Sequence, residues 1–181
     1  MRTYGTPRKH RDYGLEEYNP KWKDMFLQYV EQVKPILGEN LIGAEHMGST
    51  SIPGMVAKPQ IDVLLIVENL DKIPKLYDEF RVKGFVPRGR EYVGIGDEYV
   101  TLDDESGKRL ASIHIFQKDH PQIKETLMFR DYLRINEQER KLYIKTKRDL
   151  YRKHKDNYEE YGTGKKECID GIKRRMYQKL E

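Results

Sequence analysis

With one cysteine, Cys168, the chain can form no internal disulfide, and its thiol content fits a reducing compartment. Long hydrophobic runs are missing too. The longest, Ile61–Val67, spans seven residues and carries Asp62, far short of the ~20 apolar residues that cross a bilayer. The first eleven residues are basic but lead into no apolar segment, so no secretory signal is expected there. Repeats and low-complexity tracts are absent, as is any unbroken basic run or aromatic ladder on which bases could stack. A cytoplasmic protein without a membrane partner is expected.

Charge, by contrast, is abundant. Lys, Arg, Asp and Glu make up 35% of the 181 residues, and the mean hydropathy is −0.87. The net charge of +4 is unevenly placed, since residues 137–181 hold 14 Lys/Arg against 9 Asp/Glu. Because acids are interleaved there, solvated helix faces are the simpler reading. A basic rim drawing in phosphates or nucleic acid is the other. The length suits one domain with a helical extension, or two small subdomains, and can bury a core.

Hydrophobic period divides the chain. Residues 1–17 show none and read as a flexible N-terminal arm. Asn19-Pro20 opens a helix whose Trp22, Phe26, Tyr29, Val33 and Leu37 recur at helical spacing before Gly38 ends it. Leu41–Met47 and Ile61–Val67 read as strands, 71–83 as a short helix, and Phe85–Pro87 as the start of a third strand. Residues 91–102 and Arg109–Gln117 read as a hairpin across an acidic, turn-rich loop. After Pro121 three helical stripes follow: Met128/Tyr132/Ile135, then Leu142/Thr146/Leu150/His154/Tyr158, then Cys168/Ile172/Met176/Leu180 after a break at 161–164. The prediction is an α+β core over 18–120, a mixed β-sheet flanked by helices, with a C-terminal helical cap over 121–181 that packs on it.

Residues 46–62 concentrate the chemistry. An apolar strand runs into Gly48-Ser49, a polar loop follows, and a second apolar strand carries one acid near its start. Burying an unpaired carboxylate costs several kcal/mol, so Asp62 is expected at a strand mouth facing a cation, phosphate or donor. Gly48 permits close backbone approach, and Ser49, Thr50 and Ser51 place hydroxyls beside free amides, a setting for an anionic oxygen. Lys58, held between Ala57 and Pro59, presents a point charge to a triphosphate or a developing oxyanion, or else pairs with Asp62 or Glu45. His46, two residues before Gly48, would share its face in a regular strand. With Asp62 and His114 it could form a His/His/Asp metal site if both rings reached one cleft. Arg130 and Arg134 lie i, i+4 on one helical face, as a fork for phosphate or as partners of Asp131, Glu125 or Asp78. Cys168 falls on an apolar stripe and reads as a packed thiol.

The string from Glu45 to Gly54, with Ala57-Lys58-Pro59 and Ile61-Asp62, resembles the GrpB-like family of the nucleotidyltransferase superfamily. Ser112-Ile113-His114-Ile115-Phe116 and Phe129-Arg130-Asp131-Tyr132-Leu133-Arg134 extend the match, which covers roughly 18–169. The resemblance implies a nucleotidyltransferase-like fold, a nucleotide in the cleft, and Mg²⁺ on Asp62 as an ion arriving with the nucleotide. It also matches Lys147 and Lys165 to basic positions. Active members of the superfamily carry Asp-x-Asp or Asp-x-Glu on the second strand and a third acid on a later one. This chain has Leu64 at the second acid's position and offers His114, preceded by Ser112, on the later strand. The residues and the resemblance together leave an RNA-binding accessory protein using the basic helical cap, and three further readings. One is a nucleotide-binding protein that transfers a nucleotidyl group to a small-molecule acceptor, with Asp62, Lys58 and His114 catalytic. The second is a non-catalytic nucleotide or ligand module. The third is a metal-dependent hydrolase built on His46, Asp62 and His114.

Overall fold

The computed structural model describes residues 14–90 and 98–179. Most of the expected N-terminal arm, the first part of the expected hairpin and Leu180 lie outside them. In chain order the elements are α1 (Lys21–Leu37), β1 (Leu41–Met47), β2 (Ile61–Val67), α2 (Tyr77–Val82), β3 (Phe85–Pro87), β4 (Glu98–Asp103), β5 (Arg109–Gln117), α3 (Pro121–Ile135), α4 (Glu137–Lys153) and α5 (Tyr158–Gln178).

α1 forms where its sequence says it should. The Asn19 side chain accepts the Lys21 amide at 3.0 Å, and the helix stops at Gly38, whose φ of 54° suits glycine. Trp22, Phe26, Tyr29, Val33, Ile36 and Leu37 bury one stripe against the sheet. The strands form one five-stranded sheet of order β1-β2-β5-β4-β3, parallel only between β2 and β5. It is the mixed sheet that was expected. Strand alternation then sorts β2. Ile61, Val63, Leu65 and Val67 join the α1 core, so Asp62 and Leu64 point to the opposite face. Register places Asp62 beside Met47 and Ser112, and Leu64 beside Glu45 and His114.

A second apolar cluster holds the C-terminal helices. Ile52 and Met55, from the loop after β1, pack with Leu133, Tyr143 and Ile172 of α3, α4 and α5. The cap is therefore anchored on the loop that carries Gly48 and Ser49. Cys168 packs at the edge of this cluster, as expected.

Several local expectations change. The 71–83 segment is a 3₁₀ turn, Leu70–Leu76, followed by α2, because Pro74 has no amide to donate inside an α-helix. The predicted break at 161–164 is absent. α4 ends at Lys153, Asn157 caps α5 by accepting the Glu160 amide at 3.3 Å, and α5 runs through both glycines. Gly164 serves close packing instead, since a Cβ there would lie 2.5 Å from a Leu150 methyl. On α4 the buried face is Glu139, Tyr143 and Lys147, while Leu142 is 43% exposed. On α3 it is Arg130 and Leu133, with Ile135 exposed. Polar partners inside the cap select these faces. Glu139 takes a two-pronged bond from Arg175, and Lys147 reaches the β1 loop. Among the described residues no helix is long and apolar enough to cross a membrane.

Candidate functional site

The cleft lies where β1 and β2 meet the cap. Its walls are Ser49 and Thr50, Lys58 with Gln60, Asp62, Lys147 of α4, and Tyr158, Tyr161 and Lys165 of α5. It encloses about 120 Å³. Sites that bury a whole drug-sized ligand run to ~300–1,000 Å³, so this space matches a phosphate chain better than a complete nucleotide.

Gly48 makes the loop possible. Its φ of 70° and ψ of −171° belong to a region that is essentially glycine's alone. A Cβ at this position would sit 3.0 Å from both Cβ and Cγ of Asp62 and collide with Oδ2. The carboxylate thus lies directly against the glycine backbone. Ser49–Ser51 then form a 3₁₀ turn in which the three hydroxyls divide their work. Ser49 Oγ accepts from Lys147 Nζ at 2.7 Å. Thr50 Oγ1 is 2.9 Å from His46 Nε2, and Ser51 Oγ donates back to the Gly48 carbonyl at 2.7 Å. Ser51 belongs to the turn, and the expected three-hydroxyl cradle reduces to Ser49 and Thr50.

Three lysines line the cleft, Lys58 from the loop before β2, Lys147 from α4 and Lys165 from α5. Lys147 is 1% exposed, donates also to the Val56 carbonyl at 2.6 Å, and sits 4.3 Å from the Tyr143 ring centre. Burial pushes its pKa well down, and the charge of Lys165 adds to this. Lys58 donates to the Tyr158 hydroxyl at 2.6 Å rather than pairing with Asp62 or Glu45, and burial lowers its pKa against the pull of Tyr158. Lys165 is held above the ordinary lysine range, chiefly by Tyr143, with Tyr158, Tyr161 and Asp62 adding to it. It forms no hydrogen bond or ion pair with another described residue.

Among the described residues, Asp62 is the one carboxylate in the cleft wall. Desolvation raises its pKa, while His114, Lys165 and Lys58 and a bond from Gln60 oppose the rise. Behind it a polar chain runs along the sheet face. Gln60 Nε2 donates to Ser112 Oγ at 2.7 Å, Ser112 is 2.8 Å from the Tyr99 hydroxyl, and Arg109 donates to that hydroxyl at 3.1 Å.

The other expected residues fall elsewhere. His46 lies opposite Val63, on the α1 face, with its ring stacked on Phe26 at 4.9 Å. Burial, with Arg134 and Arg130 nearby, brings its pKa down to about 4. It therefore cannot share a metal with Asp62 and His114, which project from the other face. The His/His/Asp hydrolase site is overturned by register, and among the described residues no three of His, Cys, Asp or Glu could hold a metal ion. His114 shares the Asp62 face, tilted against Tyr99, but does not line the cleft. Arg130 and Arg134 form no phosphate fork. Arg130 donates to Glu45 at 2.6 Å, to Asp131 at 2.8 Å and to the His46 carbonyl at 3.0 Å, and Arg134 donates to the Ser51 carbonyl at 2.9 Å. Both clamp the loop from behind.

The Mg²⁺ expected from the resemblance needs about six oxygen ligands. The cleft supplies one carboxylate among three ammonium groups, and Leu64 stands where a second acid would be. These residues do not fit a divalent ion held by the protein. Gln60, Tyr143, Tyr158 and Tyr161 were not anticipated. Gln60, two residues before Asp62 in extended chain, could have been found by alternation, whereas the tyrosines arrive by long-range docking.

A family model described as GrpB protein matches residues 13–175. The UPF0157 protein YqkA of Bacillus subtilis is 34% identical over 152 residues, covering 84% of this chain and 43% of that protein. This chain therefore spans less than half the length of that relative. The crystal structure of conserved protein GrpB from Enterococcus faecalis superposes with a TM-score of 0.84 at 35% identity, covering 92% of this chain and 99% of that one. A structure of the Cid1 poly(U) polymerase with Mg and 3′-dATP bound superposes at 0.53 with 14% identity, over 76% of this chain and 43% of that one. That second likeness concerns the fold, an α+β nucleotidyltransferase architecture.

Proposed function

The chain belongs to the GrpB family, and from that premise we propose that its cleft binds a nucleoside triphosphate by the phosphate chain. The convergence of Lys58, Lys147 and Lys165 on one cleft carries this reading. Withdrawing three ammonium groups from water beside a single carboxylate is unfavourable unless an anion completes the site. The turn adds the Ser49 and Thr50 hydroxyls to the cleft wall.

Binding, rather than transfer, is the function these residues favour. Asp62 is the one carboxylate among the described cleft residues, and none of them replaces the missing second acid. Nucleic acid is a weaker partner for the cap. Its surface cations are largely spoken for by neighbouring acids, as in Lys141–Glu137, Lys145–Asp149 and Lys166–Asp170.

Thermal shift against mono-, di- and triphosphates of each nucleoside, with and without Mg²⁺ or Mn²⁺, tests the proposal. A ligand at about 100 times its Kd stabilises by about 2.7 kcal/mol, or roughly 5–11 °C in Tm for a chain of this size. Triphosphates should give the largest shifts, with little dependence on the base. Absence of any shift with every nucleotide and metal would refute it.

A further inference from the structure

We infer that the cleft takes its polyphosphate ligand free of divalent metal, held directly by the ammonium groups of Lys58, Lys147 and Lys165. The inference rests on the phosphate-binding reading above and specifies the chemical form of the ligand.

Donor capacity points this way. An ammonium group has three N–H donors. Lys147 uses two of them on Ser49 and Val56. Lys58 uses one on Tyr158, and Lys165 uses none on a described residue. Lys58 and Lys165 together thus keep five donors at one small cavity. These can meet phosphate oxygens directly, with no metal between them. Oxygen donors for a metal are scarce by comparison. Asp62 is the one carboxylate among the described cleft residues, and Ser112 is already occupied by Gln60 and Tyr99. A chelated ion would enter between positive charges with one protein carboxylate to hold it. A bare phosphate chain meets three lysines, and among the described cleft residues its one unfavourable neighbour is Asp62 itself.

That last point separates the two chemistries. Where a metal mediates binding, Asp62→Asn removes its anchor and weakens binding. Where the lysines act directly, the same change removes a like charge and tightens it. The experiment is calorimetric titration of the full chain with inorganic triphosphate and with ATP, each in EDTA and in excess Mg²⁺. The expected result is binding of both ligands in EDTA, within tenfold of each other, and at least threefold weaker in Mg²⁺. In EDTA, Asp62→Asn should tighten both by threefold or more, and Lys165→Met should loosen both by about tenfold or more. Binding that requires Mg²⁺, or is lost in Asp62→Asn, would overturn the inference and leave the nucleotide reading standing. ATP binding without triphosphate binding would also overturn it, because the nucleoside would then carry recognition. Failure of both ligands in both buffers would remove the nucleotide reading as well.

Discussion

Replacing Gly48 with alanine should be among the most damaging single-methyl changes in this protein. Two costs combine. An alanine held at φ 70°, ψ −171° carries backbone strain of about 1–3 kcal/mol. Its methyl would also stand 3.0 Å from Cβ and Cγ of Asp62 and closer still to Oδ2, so β2 or the carboxylate must move, at a further ~1–3 kcal/mol. The total, about 4 kcal/mol, is a large part of the ~5–15 kcal/mol that holds a typical domain folded. Urea denaturation followed by circular dichroism, extrapolated linearly to water, measures it. A double mutant with Asp62→Ala separates the two costs. Removing the carboxylate relieves the contact with Oδ2 and Cγ but leaves the backbone strain, so about 1–2 kcal/mol should return. A loss below about 0.5 kcal/mol in Gly48→Ala, or a strictly additive cycle, would show that the loop and Asp62 are not packed in this way.

Arg130→Met should lower stability by about 1–2 kcal/mol, because Glu45 and Asp131 are partly exposed and the main loss is the bond to the His46 carbonyl. Triphosphate affinity in that variant, measured by calorimetry, should stay within about threefold. A tenfold loss without unfolding would return Arg130 to the ligand. His46, with a folded pKa of about 4 against an ordinary 6.5, is more readily protonated in the unfolded chain. Its contribution is therefore fully present above pH 6.5 and is lost as pH falls toward 4, by about 3 kcal/mol in all. Denaturant titrations at several pH values should show His46→Gln with a shallower acid decline than the parent over that window, and parallel curves would contradict the assignment.

Much of this fold is written in local pattern. The α1 stripe, the two strands around the hydroxyl-rich loop and the solvated exterior of the cap follow from period, caps and charge. Asp62 at a strand mouth follows from its own cost of burial. His46 shows where that reasoning stops. Spacing put it on the face of Gly48, but the pairing of β1 with β2, which no single strand reveals, turned its ring onto Phe26. The cap was misread for a related reason. Its buried faces follow Lys147 and Glu139, polar groups with distant partners, so the apolar stripe through Leu142 marked the wrong side. Gly162 and Gly164 looked like a break because a glycine used for close packing and one that ends a helix read alike. Lys147 and Lys165 are marked by resemblance alone, and Tyr158 only as the end of a helical stripe, since its partner Lys58 lies 100 residues away.

A crystal of the protein soaked with a non-hydrolysable nucleoside triphosphate tests the central claim most directly. The account predicts density for the phosphate chain inside the cleft. Its oxygens should lie within about 3 Å of the ammonium groups of Lys58 and Lys165 and close to the Ser49 turn, and the nucleoside should lead outward. Phosphates bound elsewhere on the molecule, or a cleft still empty at a concentration that saturates the protein in solution, would contradict it.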